Sequence, residues 1–163
     1  MSITEPPPLK TSSIEKKTVE IFYPYQSSLS PRLGMGSDSQ LFPSYTFYYL
    51  LGVHYMLPNQ NGRHWEVGVD AINNGTGRLT LGKKFVSNHN GASRPYFKVA
   101  AGVKLDPSEQ FNTILKLDFY QLRVATGFEY FLAHPISARV DFEGFVTTKS
   151  SGIQVVMGYS WAW

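Results

Sequence analysis

His54, His64 and Glu66 are the first residues whose types could do chemistry. They fall on the same parity of two neighbouring alternating segments, so a hairpin would bring them together. Two imidazoles and a carboxylate suit zinc in principle. The same three groups also serve as hydrogen-bond fillers of an enclosed interior, and that is the reading adopted. Asp141 and Glu143 lie two residues apart on one strand face, the spacing of a carboxylate pair. General acid–base work would need them free of neutralising partners. Arg139, Arg123 and several lysines share their side, so ion pairing is expected instead. His134-Pro135-Ile136-Ser137 invites a His-x-x-Ser reading, but a histidine before proline fits a tight turn. With no cysteine, thiolate metal sites, disulfides and cysteine nucleophiles are excluded. The expectation is no catalytic residue, no metal and no cofactor.

The elements that position these groups are strands. Helical periodicity is nearly absent, whereas period-2 alternation broken by turn residues runs through the chain. Tyr45 to Leu57 alternates Tyr45, Phe47, Tyr49, Leu51, Val53, Tyr55 and Leu57 with Thr46, Tyr48, Leu50, Gly52, His54 and Met56. Pro58 to Gly62 is a turn. His64 to Ile72 and Arg78 to Val86 follow, joined by Asn73-Asn74-Gly75-Thr76-Gly77, which has strong hairpin chemistry. Further strands are read at Tyr96 to Leu105, at a long segment ending near Leu132 with a bulge near Phe119, at Ile136 to Thr147, and at Ile153 to Trp163. An earlier strand is read at Thr18 to Tyr25. That makes eight, most about 9–13 residues long, against about 5–6 for ordinary strands and about 9–11 for a tilted membrane crossing. Residues 1–16, with Pro6, Pro7 and Pro8, read as a flexible tail, and 17–163 as the folded unit. Gln26–Pro43 and Asp106–Ile114 read as long loops. The first is rich in serine and glycine.

The two faces of these strands differ sharply. One face is apolar, with Lys83 its only charge near a strand end. The other holds Glu20, Glu66, Asp70, Glu129, Asp141 and Glu143 against Arg78, Lys84, Lys98, Lys104, Arg123 and Arg139. Six acids against six bases are expected to balance, because an unpaired enclosed charge costs several kcal/mol. Hairpin symmetry predicts Glu66 opposite Lys84, Asp70 near Arg78, and Glu129 opposite Arg139. Gly52, Gly68, Gly82, Gly102, Gly127 and Gly158 lie on the charged face, where missing side chains make room in a narrow interior. Tyr48 and Phe22 are expected to help fill it. Eight strands enclose a space that side chains just fill, so no open channel is expected.

Composition agrees with two unlike faces. The 163 residues carry a net charge of +3, 17% charged and 15% aromatic residues, against a usual charged share of about 25%. The mean hydropathy is −0.19. No apolar run of about 20 residues exists, which excludes a helical span but not a barrel of alternating strands. No run of five basic residues occurs, so nucleic-acid binding has no support. The start, MSITEPPPLK, lacks a basic-then-apolar leader pattern, so an exported chain is expected here in its mature form.

On this pattern the chain resembles the small bacterial outer-membrane β-barrels of the OmpA/OmpX type. The implied fold is an all-β, eight-stranded, antiparallel up-and-down transmembrane barrel. The most specific piece is Val155, Met157, Tyr159, Trp161 and Trp163, which looks like the family's C-terminal insertion signal, with tryptophan in place of the usual final phenylalanine. The resemblance implies a Gram-negative outer membrane, a periplasmic tail and C-terminus, and contact with outer-membrane lipid, lipopolysaccharide and the barrel-assembly machinery. Envelope proteins could dock on residues 1–16 or the long loops. Under this topology the aromatic residues Tyr55, Trp65, Phe85, Phe97, Tyr130, Tyr159, Trp161 and Trp163 form one girdle, and Tyr23, Tyr45, Phe47 and Tyr120 the other. The expected role is structural, anchoring or recognition, without catalysis. Barrels resembling PagP and PagL are lipid-modifying enzymes and need a histidine near the extracellular rim. His54, His64, His89 and His134 all fall toward the other side. A soluble lipocalin-like carrier is the remaining alternative.

Overall fold

The computed structural model describes residues 27–40, 45–58, 63–87, 92–105, 120–133 and 135–163. Eight strands alternate up and down: β1 (Ser28–Gln40), β2 (Tyr45–Met56), β3 (Arg63–Ile72), β4 (Gly77–Val86), β5 (Ser93–Leu105), β6 (Tyr120–Ala133), β7 (Ile136–Val146) and β8 (Ser150–Ala162). Each pairs antiparallel with its sequence neighbours, and β1 pairs with β8, so the sheet closes into a barrel without edges. Lengths of 10 to 14 residues match what a tilted strand needs to cross about 30 Å of hydrocarbon.

Side chains alternate cleanly between the faces. The outer face is apolar all round: Phe47 is 80% exposed, Ile153 72% and Leu51 67%. The inner face buries arginine, lysine, glutamate and aspartate. This inverts the soluble arrangement and is the arrangement of a barrel solvated by lipid. No helix among the described residues is long and apolar enough to cross a membrane; the strands do the crossing. Lys83, the cation expected on the outer face, lies 5.4 Å from the Trp65 ring centre and 5.9 Å from that of Phe85, an aromatic cradle for its ammonium.

The first strand corrects the sequence reading. The serine- and glycine-rich segment expected to be a long loop is β1. Its outward residues include Leu29, Leu33 and Met35, and its inward ones Ser28, Ser30, Arg32, Gly34 and Gly36. Small inward residues look like linker composition, but a narrow lumen already crowded from the other side selects them. A Cβ on Gly36 would lie 2.6 Å from the Tyr48 ring. The strand expected at Thr18 to Tyr25 lies outside the described residues, as do the tail 1–16, the bulge near Phe119 and the loop 106–114. Where β1 closes on β8, the pairing skips Ser30 and Pro31, because proline has no N–H to donate. Ser30 Oγ and Ser160 Oγ, 2.7 Å apart, bridge that gap.

The β3–β4 hairpin is tighter than symmetry about Asn73–Gly77 predicts. Ile72 N–H donates to Thr76 O at 2.8 Å, and Asn74 Oδ1 accepts from the Thr76 amide at 3.0 Å. Gly75 sits at φ 83°, in the left-handed region. Glu66 therefore faces Gly82, and His64 faces Lys84. The expected pairing of Glu66 with Lys84 does not form. Asp70 opposite Arg78 and Glu129 opposite Arg139 are in register as expected. Among the described strands the register shift is in β6–β7, between Phe131 and Ala133.

Candidate functional site: the charged interior

Every strand contributes to one buried polar network. Arg32 of β1 holds Asp70 of β3 with two hydrogen bonds, Nε to Oδ1 at 3.0 Å and Nη2 to Oδ2 at 2.9 Å. Its Nη1 donates to Glu143 of β7 at 2.9 Å. Arg78 of β4 meets the same Asp70 Oδ2 at 2.8 Å. Glu143 also accepts from Arg123 Nη2 of β6 at 2.6 Å, Lys98 Nζ of β5 at 3.0 Å and Gln154 Nε2 of β8 at 2.7 Å. Gln154 Oε1 in turn accepts from Tyr48 of β2 at 2.9 Å and Arg78 Nη1 at 3.2 Å.

A second knot centres on Glu66. Arg139 Nη1 reaches its Oε2 at 2.6 Å, Lys98 Nζ its Oε1 at 3.0 Å, and His54 Nδ1 lies 2.8 Å from Oε1. Arg139 Nε also donates to the Tyr96 hydroxyl at 2.7 Å and sits 2.9 Å from Asp141 Oδ2. The Tyr96 hydroxyl donates to Asp141. Nearer the chain termini, Lys84 Nζ meets Glu129 Oε2 at 3.0 Å, and Ser137 Oγ donates to Glu129 Oε1 at 2.7 Å. Lys84 also lies 4.1 Å from the Tyr96 ring centre.

Glycine makes the network possible. A Cβ on Gly68 would fall 2.1 Å from His54 Nε2, and one on Gly127 2.6 Å from the Tyr96 hydroxyl. The histidine and tyrosine occupy space that the glycines leave empty.

The structure places Glu66, Asp70, Arg78, Lys84, Lys98, Arg123, Glu129, Arg139, Asp141 and Glu143 inside, and all are buried. Lys104 is only half-buried near the end of β5, and Glu20 lies outside the described residues. Two cations were missed: Arg32, hidden in the supposed loop, and Arg94, which β5 brings in because it begins at Ser93 rather than Tyr96. Alternation around Pro31 and Pro95 was the available signal for both. The expected balance of six and six is corrected accordingly. Among the described residues, five carboxylates are buried with seven cations: Arg32, Arg78, Lys84, Arg94, Lys98, Arg123 and Arg139. Tyr96 and Gln154, neither of them among the expected network residues, join separate strands through the network.

This arrangement limits the chemistry. Each buried carboxylate has a cationic group within 3.0 Å, so none is poised as a free acid or base. His54 and His64 are both buried in the interior, but His54 meets Glu66 while His64 faces Lys84. No group of three ligating side chains among the described residues could hold a metal. His89 and His134 lie outside the described residues. The expected girdle residues Trp65, Phe85, Phe97, Tyr130, Tyr159, Trp161 and Trp163 are exposed on the outer face. Tyr55 is less so and packs against Trp163, ring centres 6.2 Å apart. At the other end Phe47 and Tyr120 are exposed, while Tyr23 is not described. Val155 and Met157 share the outer face of β8 with the terminal aromatics.

No family model matches the chain, and no curated protein does. Solved structures do. Neisserial surface protein A superposes with a TM-score of 0.62 at 11% identity, covering 84% of this chain and 97% of that one. The outer membrane protein OprG from Pseudomonas aeruginosa gives 0.52 at 13% identity, covering 86% and 97%. A de novo designed transmembrane β-barrel gives 0.52 at 15% identity, covering 82% and 93%. A designed sequence among such neighbours shows that the likeness lies in the backbone fold. The chain has the fold of the small outer-membrane β-barrels of the OmpA/OmpX type.

Proposed function

We propose that the chain resides in a bacterial outer membrane as a structural, anchoring or recognition barrel with an interior closed to ions. Both barrel termini would face the periplasm. The observation that carries this reading is the buried polar network of ion pairs and hydrogen bonds to which all eight strands contribute, enclosed by an apolar outer wall. Such a network rigidifies a small barrel and fills the lumen that a pore would need open. The saturated carboxylates and the enclosed His54 and His64 argue against catalysis. The lipid-facing wall would contact phospholipid and lipopolysaccharide. The outward row from Val155 to Trp163 on β8 would be the segment met by the barrel-assembly machinery. Residues 1–16 would be available to envelope proteins.

The test is electrical. Purified full-length chain reconstituted into planar bilayers should give no steady conductance, while its β-sheet circular dichroism confirms insertion. A persistent ohmic channel from folded protein would overturn the closed-interior reading. Recovery of the native protein in the inner-membrane or soluble fraction would overturn the location.

A further inference from the structure

Lys83 has a companion on the outer wall. The third strand begins at Arg63, one residue before the expected start, and Arg63 is exposed on the parity of Trp65. Among the described residues, Arg63 and Lys83 are the only charged side chains on the outer face of the eight strands. They stand on neighbouring strands at the end that holds the termini. The register pairs Arg63 with Phe85 and Trp65 with Lys83, so two cations and two aromatic rings form one block with the cations on a diagonal. Diagonal neighbours across an antiparallel pair lie about 7–8 Å apart, within reach of long side chains. The Lys83 ammonium, 5.4 Å from the Trp65 ring centre and 5.9 Å from that of Phe85, is held over the wall beside that diagonal.

The surroundings indicate what the pair would hold. No carboxylate shares the outer face among the described residues, and the flanking connections, 57–62 and 87–92, contain no Asp or Glu in sequence. Arginine and lysine offer only donors, so the block needs acceptors brought from elsewhere. Aromatic rings of this kind sit at headgroup depth, where the acceptors at hand are lipid phosphate oxygens. Directly below, toward the middle of the wall, come Val67 and Leu81, paired with each other and apolar as acyl chains require. At the same end the other strands turn Leu29, Tyr55, Phe97, Tyr130, Ile136 and Trp161 outward. Cations that merely snorkelled to the interface would have no reason to share one side of the barrel. A zwitterionic headgroup would bring its own ammonium, and this wall has no carboxylate to receive it.

We propose that Arg63 and Lys83 together hold the phosphodiester of one phosphoglyceride with a net negative headgroup, its acyl chains lying along Val67 and Leu81. The proposal rests on the membrane reading above and deepens it. The full chain in detergent, titrated with dioleoyl phosphatidylglycerol and followed by native mass spectrometry, should retain one lipid. Dioleoyl phosphatidylethanolamine should bind about fivefold more weakly, the worth of one cation at a headgroup. Arg63→Gln and Lys83→Gln should each weaken phosphatidylglycerol binding about fivefold, and the double variant about twenty-five-fold, with no preference left between the two lipids. A diffuse field is separated from a site by moving the charge: Lys83→Gln with Tyr159→Lys restores the charge of that rim on β8, on the other side of the barrel, and should bind as weakly as Lys83→Gln alone. Recovery in that variant would overturn the proposal, as would equal retention of the two lipids by the wild type. Tighter retention of lipid A than of phosphatidylglycerol would also overturn it. The lipid comparisons on the wild type need no variant, so misfolding of a substituted chain leaves them decisive. Failure of the wild type to insert into phosphatidylcholine vesicles, judged by its β-sheet circular dichroism, would instead sink the membrane reading.

Discussion

The inner and outer faces of the same eight strands are built on opposite rules. Outside, neighbours in register are merely apolar: Leu51 with Ala71, Val67 with Leu81, Phe85 with Phe97. Lipid solvates them, and one hydrocarbon side chain does nearly as well as another. Inside, each group has a particular partner at a particular distance, and the partner usually comes from a non-adjacent strand. Arg32 on β1 reaches β3 and β7, and Glu143 on β7 reaches β5. Membership of the lipid phase is therefore specified by residue class, and the shape of the barrel by pairs. Substitutions should divide along the same line, since the inside tolerates no loss of a partner and the outside no gain of a charge.

The largest effect is expected at Arg32. Arg32→Met removes the cation shared by Asp70 and Glu143 while keeping much of the aliphatic volume. Asp70 keeps Arg78, and Glu143 keeps Lys98 and Arg123, but three charge-assisted hydrogen bonds are lost, each worth about 1.5–3 kcal/mol, so a loss of at least about 3 kcal/mol is expected. Unfolding by urea from lipid vesicles should show that loss. Adding Asp70→Asn to the variant should cost less than the sum of the two single changes, because the lost partners are each other's. A loss below about 1 kcal/mol would mean that the interior is hydrated enough to screen its charges.

Why Arg32 was hidden bears on how much was legible in the sequence. Strands β2 to β8 announce themselves, because large apolar residues recur on one parity and, in β3 to β7, oppose charges on the other. In β1 both signals fade. Ser28, Ser30, Gly34 and Gly36 are small because Tyr48, Val156 and Ser160 occupy the lumen beside them, and Pro31 stands where a strand interior normally forbids it. Composition then reads as linker, although Leu29, Leu33 and Met35 keep the period. The interior as a class of residues was legible, but its partners were not. Pairing across the lumen depends on strand tilt and stagger, which hairpin arithmetic cannot supply. Glu66 accordingly pairs with Arg139 and Lys98 from the far side of the lumen rather than with Lys84 from the next strand.

The outer rule is tested by Leu81→Arg. Leu81 is half-exposed midway along β4, with Val67 and Ala101 beside it in the neighbouring strands. Arginine at mid-membrane depth on a barrel's lipid face costs about 2–4 kcal/mol, falling toward zero near the interfaces. The folded fraction in dilauroyl phosphatidylcholine vesicles should drop accordingly, with recovery when arginine is moved to position 83, where lysine already stands. Unchanged folding of Leu81→Arg would place this side of the wall in water and dissolve the contrast between the faces.

The finest test asks whether the interior is defined by space as well as charge. Gly68→Ala adds one methyl group to the inner face and changes no charge. Its Cβ would lie 2.1 Å from His54 Nε2 and 2.3 Å from Cδ2, so the imidazole must leave its place against Glu66. Overpacking of this kind costs about 1–3 kcal/mol. If the cost comes from that single clash, His54→Ala should remove it: Gly68→Ala in the His54→Ala background should cost under about 0.5 kcal/mol, although His54→Ala alone is destabilising. On the outer face even two added methyl groups have only acyl chains to displace. Ala101→Val, beside Leu81 on the exposed side of β5, should therefore change the urea midpoint little in either background. If Gly68→Ala proved equally silent, the lumen would have slack, and its glycines would owe their positions to strand bending rather than to the side chains packed against them.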